Sequence, residues 1–301
     1  MPTRRNILLL AGVAAMLAAA PAPAQDRIKV VASFSILGDL VRNVGGDRVE
    51  VAVLVGPNSD VHVYSPTPGD AKKLAAAKVV FVNGLGLEGW MARLVQASGS
   101  QAQTVVASRG IKPRKMEDED HPGHMVTDPH AWQAIGNAKV YVANIRDGLS
   151  QADPAGKAIY AANATAYLAK LDALEGEAKA AIARIPADHR KIITTHDAFG
   201  YFGDAYGMEF ISPEGVSTDA EPSAKDVAKI IDQVKRQKIP AVFMENVTDP
   251  RMMQQIARET GAKIGGTLYS DALTDAKGEA PTYIDMFRHN IRQLTAALAG
   301  N

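Results

Sequence analysis

Cysteine is absent from the 301 residues of this sequence. That absence excludes disulfides, thiolate zinc fingers, cysteine-bound iron–sulfur clusters and a cysteine nucleophile, so any transition metal must be held by nitrogen and oxygen. A surplus of one charge is lacking as well: 33 basic side chains stand against 33 acidic ones. This balance leaves no electrostatic footprint for nucleic acid. Beyond residue 24 no apolar run approaches the roughly 18 residues that a membrane span requires. What is present is ordinary for a folded protein. With 47% hydrophobic and 22% charged residues the chain can bury cores, and its length suits about two domains of 100–200 residues each.

Residues 1–24 read as a signal peptide. Arg4 and Arg5 form a positive start, Ile7 to Ala20 is uncharged and apolar, and Ala22-Pro23-Ala24 supplies a small-residue cleavage pattern. The apolar run is too short to cross about 30 Å of hydrocarbon. Thr3-Arg4-Arg5-Asn6-Ile7-Leu8 also resembles a twin-arginine leader, so that export route stands beside ordinary secretion. With no cysteine to carry a lipid, the expected product is exported, unanchored and periplasmic.

The rest of the chain alternates β-rich and helical stretches. Ile28 to Phe34, Val49 to Val55, Lys78 to Asn83 and Thr104 to Ala107 are predicted strands, with Asp70 to Ala77 a helix. Lys191 to Thr195, Ala241 to Met244 and Lys263 to Leu268 repeat the idiom, separated by helices Ser223 to Gln237 and Asp249 to Thr260 capped by Ser223 and Asp249. Such alternation predicts an α/β protein of two lobes, each a mostly parallel sheet flanked by helices. Between them Tyr160, Ala164, Tyr167, Leu171, Leu174, Ala178, Ala181 and Ile185 fall on one helical stripe. From Pro154 to Ile185 that helix would run about 46 Å. It reads as one long rigid helix joining the lobes, with a coiled-coil dimer as the alternative. The expected organisation is 25–150 for the N-terminal lobe, 151–186 for the linking helix and 187–301 for the C-terminal lobe.

Chemistry concentrates in the seven histidines. His62 lies in Asp60-Val61-His62-Val63-Tyr64 just after a strand. His130 lies in Thr127-Asp128-Pro129-His130-Ala131-Trp132, and His196 follows the strand Lys191 to Thr195. Ligands of open α/β sheets bind at the carboxyl ends of strands. His189 and His289 have helix-terminal or surface surroundings and read as structural.

The segments Asp60–Tyr64, Asp128–Trp132, Thr195–Phe202 and Leu268–Leu273 together resemble the four signature regions of the zinc/manganese substrate-binding proteins of ABC transporters. The resemblance runs from about Ile28 to Leu298. It implies one metal ion per chain, held in the cleft by His62 and His130 from the first lobe and by His196 and Asp271 from the second. It also implies delivery to a membrane permease by a monomeric carrier. Three imidazoles and a carboxylate suit tetrahedral Zn²⁺. In the family a glutamate at the third position accompanies manganese, and His196 stands there, which favours zinc over manganese or iron. Asp60, Asp128, Asp197 and Glu245 are candidates to accept the other ring N–H of a ligating histidine, although Asp60 and Asp197 equally suit turn capping. Trp132, Tyr64 and Phe199 read as packing that keeps the site dry.

The stretch from Glu117 through Asp118, Glu119, Asp120, His121 and Pro122 to His124 is either a solvated loop or, by the resemblance, an accessory loop beside the cleft whose His121 and His124 bind zinc weakly and deliver it to the cleft, or meet a periplasmic metallochaperone. Two rival functions fit the sequence less well. A zinc metallohydrolase needs an open fourth position, which Asp271 fills, and neither H-E-x-x-H nor G-x-S-x-G is present. A surface adhesin is disfavoured by the missing lipid anchor. Binding is expected to displace protons from neutral imidazoles, so affinity should fall as pH drops through about 6.5.

Overall fold

The computed structural model describes residues 27–117, 123–219 and 222–299. The expected leader, residues 1–24, and Asp118, Glu119, Asp120 and His121 lie outside the described residues.

Strands β1 (Ile28–Phe34), β2 (Val49–Val55), β3 (Val79–Val82) and β4 (Gln103–Val106) form a parallel sheet in the order β2-β1-β3-β4. The inner strands carry continuous apolar runs because helices cover both faces of a parallel sheet. Val79–Val82 is buried at every position. Helices α1 (Ser35–Gly45), α2 (Pro68–Ala76) and α3 (Met91–Ser98) connect these strands. A short hairpin, β5 (Lys115–Glu117) with β6 (Met125–Thr127), then leads to α4 (Ile135–Ala152).

Next comes α5 (Lys157–Ile182), entered through a 3-10 turn at Pro154–Gly156. Its buried side chains are those of the predicted stripe, Tyr160, Ala164, Tyr167, Leu171, Leu174, Ala178 and Ala181, together with Ile182. Regular helix ends there, three residues short of Ile185.

The second sheet is also parallel, in the order β10-β9-β7-β8. It comprises β7 (Lys191–Ile193), β8 (Glu209–Ile211), β9 (Ala241–Glu245) and β10 (Lys263–Leu268), with α6 (Gly200–Tyr206), α7 (Ala224–Gln237) and α8 (Arg251–Thr260) between them and α9 (Tyr283–Leu298) closing the chain. Register slips on β10 between Ile264 and Thr267. Glycine is required at this bulge: Gly266 has φ +114, and a Cβ on Gly265 would stand 2.3 Å from the Phe243 ring.

Ser223 caps α7 by accepting from the Asp226 amide. The expected Asp249 cap is displaced, because Pro250 occupies the N-cap of α8 and Asp249 instead accepts from Arg251 N two residues on. Helices α1, α4 and α9 all pack on α5. One apolar core consequently runs from β1 through α5 to α9 without a break, and a smaller one lies under α7 and α8 around Ile230, Val234 and Met253. Among the described residues no helix is long and apolar enough to cross a membrane.

Candidate metal centre

His62, His196 and Asp271 stand just past the carboxyl ends of β2, β7 and β10, and His130 stands between β6 and a 3-10 turn, Ala131–Gln133. The sheets thereby aim three of the four donors at one another, as open parallel sheets do at their carboxyl edges.

Each histidine is held by its own local device. Asp60 Oδ1 accepts from His62 N at 2.8 Å, and Trp90 Nε1 donates to Val61 O at 3.0 Å, which together fix the His62 turn. Asp128 Oδ1 lies 2.9 Å from both the amide and Nδ1 of His130. Arg114 Nη1 steadies the other Asp128 oxygen at 3.4 Å and reaches Asp204 on α6 with Nε at 3.3 Å. Glu245, at the end of β9, accepts from the amides of Thr195 and His196 with Oε1 at 2.8 and 3.0 Å, and its Oε2 faces His196 Nδ1 at 2.7 Å. Carboxylates thus occupy the Nδ1 side of His130 and His196, which turns Nε2 of each ring toward the common centre.

Two of the four candidate supporting carboxylates therefore face imidazole nitrogens, Asp128 and Glu245. Asp60 and Asp197 do not. Asp60 supports the turn and takes Thr218 Oγ1 at 2.5 Å on its second oxygen, and Asp197 is bonded to Ser212 while burial pushes its carboxyl pKa up. His189 donates from Nδ1 to Leu298 O, and His289 donates from Nε2 to Thr267 O and packs on Tyr269. Both stand apart from the cluster. His289 is buried rather than at the surface, since α9 lays it against β10.

One donor atom from each of His62, His130, His196 and Asp271 falls within a 4.8 Å cluster. His62 Nε2 is 3.2 Å from His130 Nε2 and 3.4 Å from Asp271 Oδ2; His196 Nε2 is 3.0 Å from Asp271 Oδ2; His130 Nε2 is 3.6 Å from Asp271 Oδ1. A tetrahedral ion with bonds of about 2.05 Å has donor–donor edges of about 3.3 Å, and these separations bracket that value. His130, His196 and Asp271 are fully buried, and of the four donors only the His62 side chain keeps some exposure, 5%. Neither Asp271 oxygen nor His196 Nε2 has an aligned hydrogen-bond partner. Buried polar atoms left in that condition are costly unless something else satisfies them, and a cation does so.

The charges respond accordingly. Burial opposes a proton on His196, yet the Glu245 and Asp271 carboxylates outweigh it and raise the imidazole well above its usual range. Burial would raise Asp271, but His196 and His130 hold its carboxyl well below the usual range. Both shifts favour the charged form of each partner in the His196–Asp271 pair. Only a neutral ring nitrogen can ligate, so a metal competes with protons for His196.

This four-donor pocket between two parallel sheets has known counterparts. A family model described as zinc-uptake complex component A, periplasmic, matches residues 30–297. The chain belongs to this family. The manganese-binding lipoprotein MntA of Halalkalibacterium halodurans is 36% identical over 274 residues, covering 91% of this chain and 89% of that protein. The manganese ABC transporter substrate-binding lipoprotein PsaA of Streptococcus pneumoniae is 31% identical, covering 91% and 89%. The periplasmic zinc-binding protein TroA from Treponema pallidum has a solved structure similar to this one, with TM-score 0.84 and 31% identity over 91% of this chain and 100% of that one. The family binds its solute rather than transforming it, and the chain is a binding protein, not an enzyme.

Sequence reasoning missed Gln133, Ser270 and Thr218, which join the two lobes around the pocket. Gln133 follows the DPHAW segment and Ser270 precedes Asp271, but nothing in their local pattern shows that they meet.

Proposed function

We propose that this chain captures one divalent ion, zinc in preference to manganese, with His62, His130, His196 and Asp271 as ligands, and presents it to the membrane permease of an ABC importer. The observation that carries the reading is the buried cluster of three imidazole nitrogens and a carboxylate whose oxygens lack hydrogen-bond partners. Nitrogen-rich sets suit zinc better than harder cations. Manganese is the second reading, supported by the way both Asp271 oxygens face the pocket, offering a fifth donor, and by the manganese-binding names of relatives.

The proposed working unit is a monomer, exported by the leader at residues 1–24, with lobes at 25–150 and 187–301 that part and close around the ion. Relatives are named lipoproteins, whereas this sequence has no cysteine to bear a lipid, which supports a diffusible carrier. The stretch of sequence that holds Glu117, Asp118, Glu119, Asp120, His121 and His124 is proposed to gather zinc or meet a metallochaperone. Six positions separate His124 from His130, so His124 lies within about 20 Å of His130 along even an extended chain.

Metal analysis of protein from its native compartment, followed by equimolar zinc and manganese competition, tests the reading. It predicts one zinc per chain and at least a hundredfold weaker binding in His196→Ala. Manganese retained against equimolar zinc reverses the metal assignment. Deleting residues 117–124 should slow loading and leave affinity unchanged; loading at the wild-type rate from both free zinc and a protein donor refutes the loop's role.

A further inference from the structure

The 3-10 turn Ala131–Gln133 begins at the residue after His130. From it, Trp132 Nε1 and Gln133 Nε2 both donate to Ser270 O, at 3.0 and 2.6 Å. Ser270 immediately precedes Asp271. Because a carbonyl oxygen can only accept, Gln133 has to present its amide nitrogen there. Its own Oε1 is buried without a protein partner. The Asp271 segment is tied to the N-terminal lobe on its other side too: Asn58 N donates to Leu273 O at 2.9 Å, and Leu273 N donates to Ser35 Oγ at 3.0 Å. Tyr283 OH then fastens Trp132 O at 2.7 Å.

We propose that Gln133, with Trp132 beside it, is a positioning residue for the metal, clamping the Ser270 carbonyl so that Asp271 stands at a fixed distance from His130. Although Asp271 follows a strand of the second sheet, the clamp makes it part of the N-terminal lobe. His62, His130 and Asp271 form a prearranged three-donor face, and His196, carried on β7 with Glu245 behind it, is the ligand that completes or opens the site. This inference rests on the metal-binding reading above.

The test is Gln133→Met, which keeps length and apolar volume and removes the donor. Zinc release into excess chelator is followed by stopped flow, with the association rate and the melting temperature of the metal-free protein measured alongside. One lost neutral hydrogen bond predicts release about 3- to 10-fold faster, with association within about twofold. A residue acting through Asp271 also predicts non-additivity: in Asp271→Ala, the added Gln133→Met should change affinity less than twofold. Trp132→Phe, which keeps the ring and loses the other donor, should speed release in the same direction and serves if Gln133→Met misfolds. Release at the wild-type rate in both variants, or an undiminished effect in the Asp271→Ala background, overturns the clamp. A wild-type protein that binds no zinc or manganese overturns the metal-binding reading instead.

Discussion

Exchanging Glu245 for glutamine tests how much affinity lies behind the donors themselves. Oε1 accepts two amide N–H groups, from Thr195 and His196. A glutamine must keep its carbonyl oxygen at that place, because its NH₂ would face two donors. Its NH₂ therefore takes the place of Oε2, 2.7 Å from His196 Nδ1. A donor there bonds only to a bare Nδ1, which drives the ring proton to Nε2, the atom that has to bind metal. Supporting partners of metal-bound histidines are worth about tenfold to a hundredfold in affinity, or about 1.4–2.7 kcal/mol. The pH response changes with it. In the wild type the imidazole of His196 is raised by Glu245 and Asp271, so a divalent metal competes with a proton even above the ordinary histidine range. Affinity then keeps rising with pH beyond about 6.5, by up to tenfold per unit for each proton displaced. Glu245→Gln removes one of the two carboxylates, so the rise should level off at lower pH. Calorimetry in buffers of different ionisation enthalpy counts the released protons, and competition with a chelating dye gives Kd. A variant with Kd within twofold of wild type and an unchanged proton count refutes the reasoning.

Three further outcomes are expected. Asp39 is buried between α1 and α9, and burial pushes its carboxyl up to about 6 against the Tyr283 amide and Arg42. A raised folded-state value favours the neutral acid, so that stability is full below about pH 4 and lost as pH rises through 6. Asp39→Asn should add about 1–3 kcal/mol at pH 7.5 in urea unfolding and nothing at pH 4; a loss at pH 7.5 contradicts this. Burial would raise Asp70, yet bonds from Thr67, Lys73 and Tyr64 hold it below its usual range, so its contribution is present above about pH 4 and lost below. Asp70→Ala should cost about 2–4 kcal/mol at pH 7, and a melting temperature within 2 °C of wild type, on the order of 1 kcal/mol, rejects it. A Cβ on Gly200 would stand 2.6 Å from Asp128 Oδ2 and 2.5 Å from the Arg114 guanidinium. Gly200→Ala should disturb the Asp128 support and weaken zinc binding several-fold in a dye titration, while unfolding moves by about 1 kcal/mol; unaltered affinity argues against a role for that support.

Strands β1 to β4 were legible because buried parallel strands are written as apolar β-branched runs, and α5 because its stripe never breaks. Helix α4 escaped notice. Gly136, Asn137, Asn144 and Gly148 interrupt its composition, though Ile135, Ala138, Tyr141, Val142, Ile145 and Leu149 keep helical spacing. Helix α9 carried a readable start in Thr282 and Asp285, which cap one another. Strands of three residues such as β5, β6 and β8 are too short for periodicity to register. At the site the four donors came from resemblance, not spacing. Which carboxylate serves which ring depends on β9 lying beside β7 and on the β5–β6 hairpin folding back, and the primary sequence encodes neither. The raised imidazole of His196 was equally hidden, because the Glu245 and Asp271 carboxylates converge on it only in the fold.

The unbroken core that passes from β1 through α5 to α9 also makes loading a matter of survival. Lobes that share one interior melt together, so the chain should give a single calorimetric transition. An ion held at the seam then protects every element at once. At a free metal concentration of 100 Kd the whole molecule gains about 2.7 kcal/mol, and its transient opening becomes about a hundredfold rarer. Where proteolysis follows that opening, an empty carrier is the one that is digested, and metal supply sets how many copies persist.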